Sequence, residues 1–318
     1  MKTIVMDPLP GSAPYENERV MRVRQAHHGM AMLDFLQNLH PPISAERWKS
    51  WIDAGDIKLG AQAATFDQTV HAGETFVHTM HDVVEPEVAA KVEIIHEDDA
   101  IIVVDKPAPL PVHSSGRFHR NTLLNFLQSA YPGDSLRMAH RLDANTTGVV
   151  VVCRNQQSAS LVQKQFEQRT VKKDYVARVH GHVPWEHQTC ELPIGPSAQL
   201  AGHRNTRGSR ITHPDGQPAK TLFKVLQRFS DGTTLVEAIP VTGRTNQIRV
   251  HLWSLGFAIV GDPLYLQHGQ LGVHQTLRVS DPPMCLHAAR LTLLHPNHGR
   301  EMVFSRTDSI PFSNQDLN

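Results

Sequence analysis

Residues 138–155 read MAHRLDANTTGVVVVCRN. The valines 149–152 form an apolar run with no polar alternation, so the strand they make must be covered on both faces. Ahead of it, Asn145, Thr146, Thr147 and Gly148 are the residue types a tight turn selects, and a strand is expected to bring His140, Arg141, Leu142 and Asp143 to that turn. Packing alone gives no reason to place a charged triplet between two buried strands. The same residue types also suit a plain polar turn, so the segment by itself leaves both readings open.

Working outward, Val92–His96 and Ile101–Val104 are short apolar runs around the turn-like Glu97-Asp98-Asp99 and predict a hairpin. Tyr175–Val179, Leu222–Leu226, Thr234–Pro240 and Leu291–Leu294 read as further strands, and Asn121–Ser129 and Ser158–Gln168 as helices. Strands outnumber helices and rarely alternate with them. This predicts an α+β domain with a mixed, largely antiparallel sheet and flanking helices over residues 91–318.

The N-terminal part has another texture. Residues 1–25, with Pro8, Pro10, Gly11 and Pro14, read as a flexible arm. Residues 26–80 predict a small α+β unit. Leu33, Leu36 and Leu39 form one helical stripe, and a second helix capped by Ser44 places Trp48, Trp51 and Ile52 on one face. Strand-like pieces follow at Ile57–Leu59 and Thr75–His78, and residues 81–90 read as a linker.

The whole chain of 318 residues balances 31 Lys+Arg against 31 Asp+Glu. The balance is uneven along it: residues 26–80 carry a net of −3 and residues 91–318 a net of +5. A polyanion would therefore bind mainly to the larger part. Cys153, Cys190 and Cys285 are scattered, which fits a reducing compartment and neither a disulfide framework nor a zinc site. The 21 histidines show no ligand spacing, so no metal is expected. No apolar run approaches the ~20 residues of a membrane span, and the first residues lack a signal peptide's apolar stretch. A cytoplasmic, monomeric protein without membrane contact is expected.

A second informative segment, VTGRTNQIRVHLWSLGFAIVGDPLY, spans residues 241–265. Gly243-Arg244-Thr245 predicts a donor-rich turn, followed by a helix with Ile248, Leu252 and Leu255 on one face. Arg244, Arg249 and His251 near its start would suit an anion, although an ordinary amphipathic helix explains the pattern as well.

HRLDANTTG resembles the HRLD signature of the RluA-type pseudouridine synthases, and TGRTNQIRVHL is similar to that family's GRTHQIRVHL block. EDDAIIVVDKPAPLPVH, KKDYVARVHG and LHAARLTLLHP resemble three further family stretches, in the family's order. The resemblance covers about residues 92–311. It implies that Asp143 is the catalytic aspartate, that Tyr175 packs on the target base and helps remove its carbon-5 proton, and that Arg249 pairs with the aspartate. It implies that Arg141 fills the space left by the extruded uridine and that Ile248 is an apolar wall. His140, Leu142, Thr146, Thr147, Arg244 and Asn246 complete the motifs expected to bind substrate. Asn246 and Thr147 stand where the family often has His and Ser, and Asp105 and Pro109 where it often has Asn and Gly. The unit at 26–80 is similar in outline to a small ribosomal-protein-type RNA-binding domain. Arg47 and Lys49 are all that is left of the basic helix face, so it reads either as an RNA contact or as a degenerate, protein-facing module.

The implied substrate is ribosomal or transfer RNA, and the implied reaction isomerises uridine to pseudouridine with no cofactor. A catalytically silent RNA-binding or assembly factor with the same fold is the alternative, and an enzyme of small-molecule glycosides a third. The chemistry suits a single carboxylate. Hydrolysis of ordinary glycosides uses two because an alkoxide must be protonated as it leaves. Uracil spreads its charge over two carbonyls and leaves readily, so one carboxylate can attack the sugar or remove a ribose proton. It must stay ionised in a pocket that excludes water, and a neighbouring guanidinium favours that form. Arg204, Arg207, Arg210 and Lys220 in the stretch 203–220 are further candidates for phosphate contact, if that stretch is more than a solvated loop.

Overall fold

The valine run at 149–152 lies in strand β9, Thr147–Cys153, within an 11-stranded sheet. The computed structural model describes residues 2–41, 43–197, 208–310 and 312. By contacts these residues divide into two compact units, one of residues 1–10 with 86–318 and one of residues 11–85.

In the larger unit β9 pairs antiparallel with β7, Ile101–Lys106, which pairs with β6, Lys91–Glu97. Period-two alternation sorts their side chains onto two faces. Ile102, Val104, Val150 and Val152 pack with Leu123, Phe126 and Leu127 of helix α3, Leu123–Ala130. Ile101, Val103, Val149 and Val151 pack with Ala159 and Val162 of helix α4, Gln156–Glu167. Both faces are covered by helices, which is why the run carries no polar alternation.

The sheet continues through β16, Leu286–Leu294, then β10, Lys172–His180, β15, Thr233–Pro240, β14, Thr221–Arg228, and β11, His187–Cys190. On this second half a separate core gathers Ala177, Val179, Phe223 and Val236 beneath Ile248 and Leu252 of helix α5, Gln247–Ser254. The halves join where β9 runs parallel to β16, at Thr147 opposite His287 and Gly148 opposite Ala288. Gly148 has φ +109°, and a Cβ there would lie 2.3 Å from the Ala288 carbonyl oxygen. Only glycine lets the strands approach so closely. The HRLD motif reaches this seam from one side and α5 from the other.

The smaller unit is a four-stranded sheet in the order β2, Tyr15–Arg22, β5, Thr75–Val83, β3, Ile57–Leu59, and β4, Gln62–Ala63. Helices α1, Met32–Leu39, and α2, Ala45–Asp53, share its core of Met32, Phe35, Trp48, Ile57 and Phe76. Ser44 caps α2 as expected, accepting from the Arg47 amide.

Four expectations need correction. Residues 1–25 are no flexible arm: Lys2–Val5 forms β1, paired with β6, and Tyr15–Arg22 forms β2, paired with β5. The prolines between these strands mark a crossing between units. Residues 81–90 are not a free linker, because β5 runs to Val83 and Val88 is buried in the larger unit's core. In α1 the fully buried stripe is Met32, Phe35 and Leu36, with Leu33 and Leu39 at its margin. No strand delivers HRLD, since β8 is only Arg137–Met138 and residues 139–146 are irregular. Arg204 and Arg207 lie outside the described residues.

Candidate active site

Asp143 lies within the irregular segment that leads into the seam, with its side chain 24% exposed. The loop is held from behind. Lys106 at the end of β7 is fully buried, and its Nζ donates to the carbonyls of Pro107 (2.8 Å), Leu110 (2.9 Å) and Ala144 (3.1 Å). Burial pulls this lysine down to about 7, against the upward pull of Asp143 and then Asp105. Three acceptors for three protons is the geometry of the ammonium, so the charged form is the one the loop is built around. Asn145, also buried, donates to the Gln275 carbonyl and accepts from the Leu277 amide. Lys106→Met is expected to leave buried carbonyls unsatisfied, at about 2–4 kcal/mol of stability. Thermal unfolding of the variant checks this, and a melting temperature equal to the wild type's would refute it.

On the other side of the seam Arg249 projects from the first turns of α5, 4% exposed. Its Nη1 donates to Asp143 Oδ2 at 3.1 Å and to Asn246 Oδ1 at 3.2 Å. Its Nε and Nη2 grip Asp262, a fully buried carboxylate, at 2.7 and 2.8 Å. This bidentate pair fixes the plane of the guanidinium. Burial disfavours the charged arginine, but the two aspartates, Asp262 foremost, more than restore it and hold it above its ordinary range. Asp262 Oδ1 also accepts from the amides of Leu264 and Tyr265, and the Tyr265 ring lies under the guanidinium at 5.0 Å. Asn246, in the left-handed region at φ +58°, donates from Nδ2 to the Tyr265 hydroxyl. Gln247 ties down the preceding turn, accepting from Thr242 Oγ1 and the Arg244 amide.

A cavity of about 470 Å³ opens over Asp143. Its lining includes His140, Arg141, Leu142, Thr146, Tyr175, Arg244, Asn246 and Ile248 beside Asp143 and Arg249. Tyr175 on β10 packs against both cores and is half-buried. Burial, and next the charge of Asp143, push its phenol well above the ordinary tyrosine value. The ring of His140 stacks on Phe166 at 4.7 Å, and its Nε2 accepts from the Val151 amide. Burial, with Lys173 second, presses this imidazole down to about 3, so it is neutral. Arg141 is exposed and makes no ion pair among the described residues. A second cavity, about 580 Å³, shares Arg141, Asp143 and Asn246 with the first.

The sequence motifs thus converge, with exceptions. Thr147 does not line the cavity: one residue further along the strand, its side chain alternates away and its hydroxyl meets His287 Nδ1 at 2.8 Å. His251 holds no anion, being fully buried between Thr221 Oγ1 and the Leu192 carbonyl. Arg244 donates Nε to the Pro218 carbonyl, and Lys220 pairs with Glu191 at 2.6 Å. Sequence reasoning missed Lys106, Asp262 and Tyr265. Lys106 stood in the DKPAP stretch and the other two in GDPLY, and neither stretch gave these residues a role of their own.

A family model described as RNA pseudouridylate synthase matches residues 100–254. The ribosomal large subunit pseudouridine synthase D of Nitrosomonas europaea is 34% identical over 303 residues, covering 92% of this chain and 86% of that protein. The dual-specificity RNA pseudouridine synthase RluA of Vibrio parahaemolyticus is 36% identical over 226 residues, covering 69% of this chain and 84% of that protein. Among solved structures, human RNA pseudouridylate synthase domain containing 1 matches with a TM-score of 0.55 at 25% identity, over 68% of this chain and 82% of that one.

Proposed function

The chain belongs to the RNA pseudouridylate synthase family, and from that premise we propose that Asp143, Tyr175 and Arg249 carry its isomerisation of uridine to pseudouridine in RNA. The observation that supports this assignment is the Asp143 carboxylate, partly exposed at the floor of a nucleotide-sized cavity and tied to a guanidinium that is itself locked by Asp262.

The target uridine first leaves its stack, at about a few kcal/mol, which loops and bulges lower. Arg141, free at the mouth between the two cavities, offsets part of this by entering the vacated space. Asp143 then breaks the glycosidic bond, by attack on the sugar or removal of a ribose proton, and the electron pair leaves with N1 of the uracil. The detached base turns against the Tyr175 ring, where stacking is worth ~1–3 kcal/mol. Carbon 5 then bonds to the sugar, displacing the Asp143 carboxylate where it had attacked, or with Asp143 returning to the ribose the proton it had removed. Carbon 5 finally loses its proton as N1 gains one. A phenol held well above its ordinary range stays protonated, so Tyr175 accepts that proton only as it passes its own onward. Leu142 and Ile248 keep the walls apolar.

The reading extends to ribosomal RNA first and transfer RNA second, as one relative is named a ribosomal large subunit pseudouridine synthase and another a transfer RNA pseudouridine synthase. A monomer working in the cytoplasm is part of the proposal, and the three buried, unpaired cysteines fit a reducing compartment. No described helix is long and apolar enough to cross a membrane. The test is tritium release from ribosomal and transfer RNA transcripts labelled at uridine carbon 5. Release from either is the expected result, and none from both would overturn the proposal.

A further inference from the structure

The cavity wall beyond Tyr175 carries two cations that the mechanism above leaves unused. Helix α4 closes in a Schellman motif: the Arg169 amide donates to the Phe166 carbonyl and the Thr170 amide to the Gln165 carbonyl. The residue after the cap sits in the left-handed region, where glycine is the usual occupant, yet here it is Arg169 at φ +60°. Its side chain lines the cavity. Lys173 stands two residues before Tyr175 on β10, so both side chains leave the strand on the same face. Lys173 also lines the cavity and is half-buried, and its Nζ makes one long bond, 3.4 Å, to the Thr242 carbonyl. Neither cation has a carboxylate within ion-pair distance among the described residues. Glu167 lines the same wall without bonding to them, and Asp174 turns to the opposite face beside Arg290.

Stability has been given up at two points that meet in one wall. A side chain in the left-handed region is strained, and the half-buried Lys173 ammonium is repelled by the exposed Arg169 guanidinium beside it unless an anion joins them. Burial and the neighbouring Arg169 both lower Lys173's hold on its proton, as expected of a cation still lacking a counter-charge. Resting on the reading of this cavity as the uridine site, we propose that Arg169 and Lys173 form a phosphate seat for the RNA backbone beside the target uridine. Two residues along a strand span about 7 Å. A base against Tyr175 would therefore carry its adjoining phosphodiester to Lys173, with Arg169 closing on it from the end of α4. The seat sets the sugar over Asp143 by holding the chain rather than by reading the base.

The test measures binding of the full chain to a fluorescein-labelled ten-nucleotide oligouridylate by anisotropy, between about 50 and 200 mM KCl, where phosphate contacts show as salt dependence. Lys173→Met and Arg169→Gly are each expected to weaken binding on the order of ten-fold at the lower salt. Each should also reduce the slope of log affinity against log salt by ~0.7, the share of one single-strand phosphate contact. Lys164→Met, an exposed lysine on the same helix outside the cavity, should match the wild type. Arg169→Gly should melt at or above the wild-type temperature, separating lost binding from lost folding. Either variant at wild-type affinity and slope overturns the paired seat, as does a wild type whose oligouridylate binding ignores salt. Tritium release is scored separately. A wild type that releases none, while both variants still lose affinity, would sink the isomerase reading and leave the seat standing.

Discussion

Asp143→Asn is expected to abolish tritium release from uridine labelled at carbon 5, by at least about four orders of magnitude in single-turnover rate. The amide has the same shape, and its oxygen can still accept from Arg249 Nη1, which now sits at 3.1 Å. What it lacks is the charge needed to attack a sugar carbon or take a ribose proton. Arg249 keeps its two bonds to Asp262, so the guanidinium stays in place. Since Asp143 is partly exposed, the loss of one ionic contact should cost little stability, and the melting temperature should stay close to the wild type's. RNA binding should also persist, because the proposed phosphate seat at Arg169 and Lys173 does not involve this carboxylate. A variant that releases tritium at the wild-type rate would remove Asp143 from the chemistry. A wild type as inactive as the variant, with both binding RNA, would favour the silent assembly factor.

Much of this site was legible in the sequence because it follows from two local signals. A four-valine strand is buried on both faces wherever it occurs, which forces the charged residues before it to the end of the sheet. The helix pattern of 247–255 fixes Ile248 and Leu252 on the core face, and Arg249, next along, must then turn to the seam. The residues that were missed act through folded contacts that periodicity and local motif do not signal. Lys106 serves a carbonyl of Ala144, and Asp262 serves a guanidinium on the preceding helix. Each looks locally like a charge in a proline-containing turn; Lys106 meets its partner because β7 pairs with β9, and Asp262 because the chain after α5 folds back onto that helix. Thr147 was misread for the opposite reason: side-chain alternation decides its direction, and the onset of β9 two residues earlier than expected turns it to His287. The strand at Lys2–Val5 was hidden because an edge strand of four residues draws its stability from β6 and carries little pattern of its own.

Burial makes Asp262→Asn the more disruptive change to the fold. Asp262 is fully buried and gives Arg249 two of its bonds, while one of its oxygens also receives the amides of Leu264 and Tyr265. An amide in its place must turn its NH₂ toward a donor, either the guanidinium or the backbone. A buried guanidinium would then face one donor and one neutral oxygen. Breaking one side of a buried ion pair costs about 3–5 kcal/mol, which should lower the melting temperature by roughly 6–20 °C. Activity should fall as well, for a separate reason. With Asp262 in place the guanidinium is shared, and Asp143 receives only its third edge. Without that anchor Arg249 is drawn fully onto Asp143, occupying the lone pairs that the proposed mechanism uses and shifting the carboxylate. A displacement of about 1 Å at a reacting group costs on the order of 10²-fold in rate. Single-turnover tritium release, measured well below the variant's melting temperature, checks this beside a thermal melt. The two aspartate variants should therefore part company: Asp143→Asn inactive and stable, Asp262→Asn impaired and unstable. An Asp262→Asn protein that melts and turns over like the wild type would mean that Arg249 is positioned by its α5 and Asn246 contacts alone, and that the buried carboxylate is dispensable to the site.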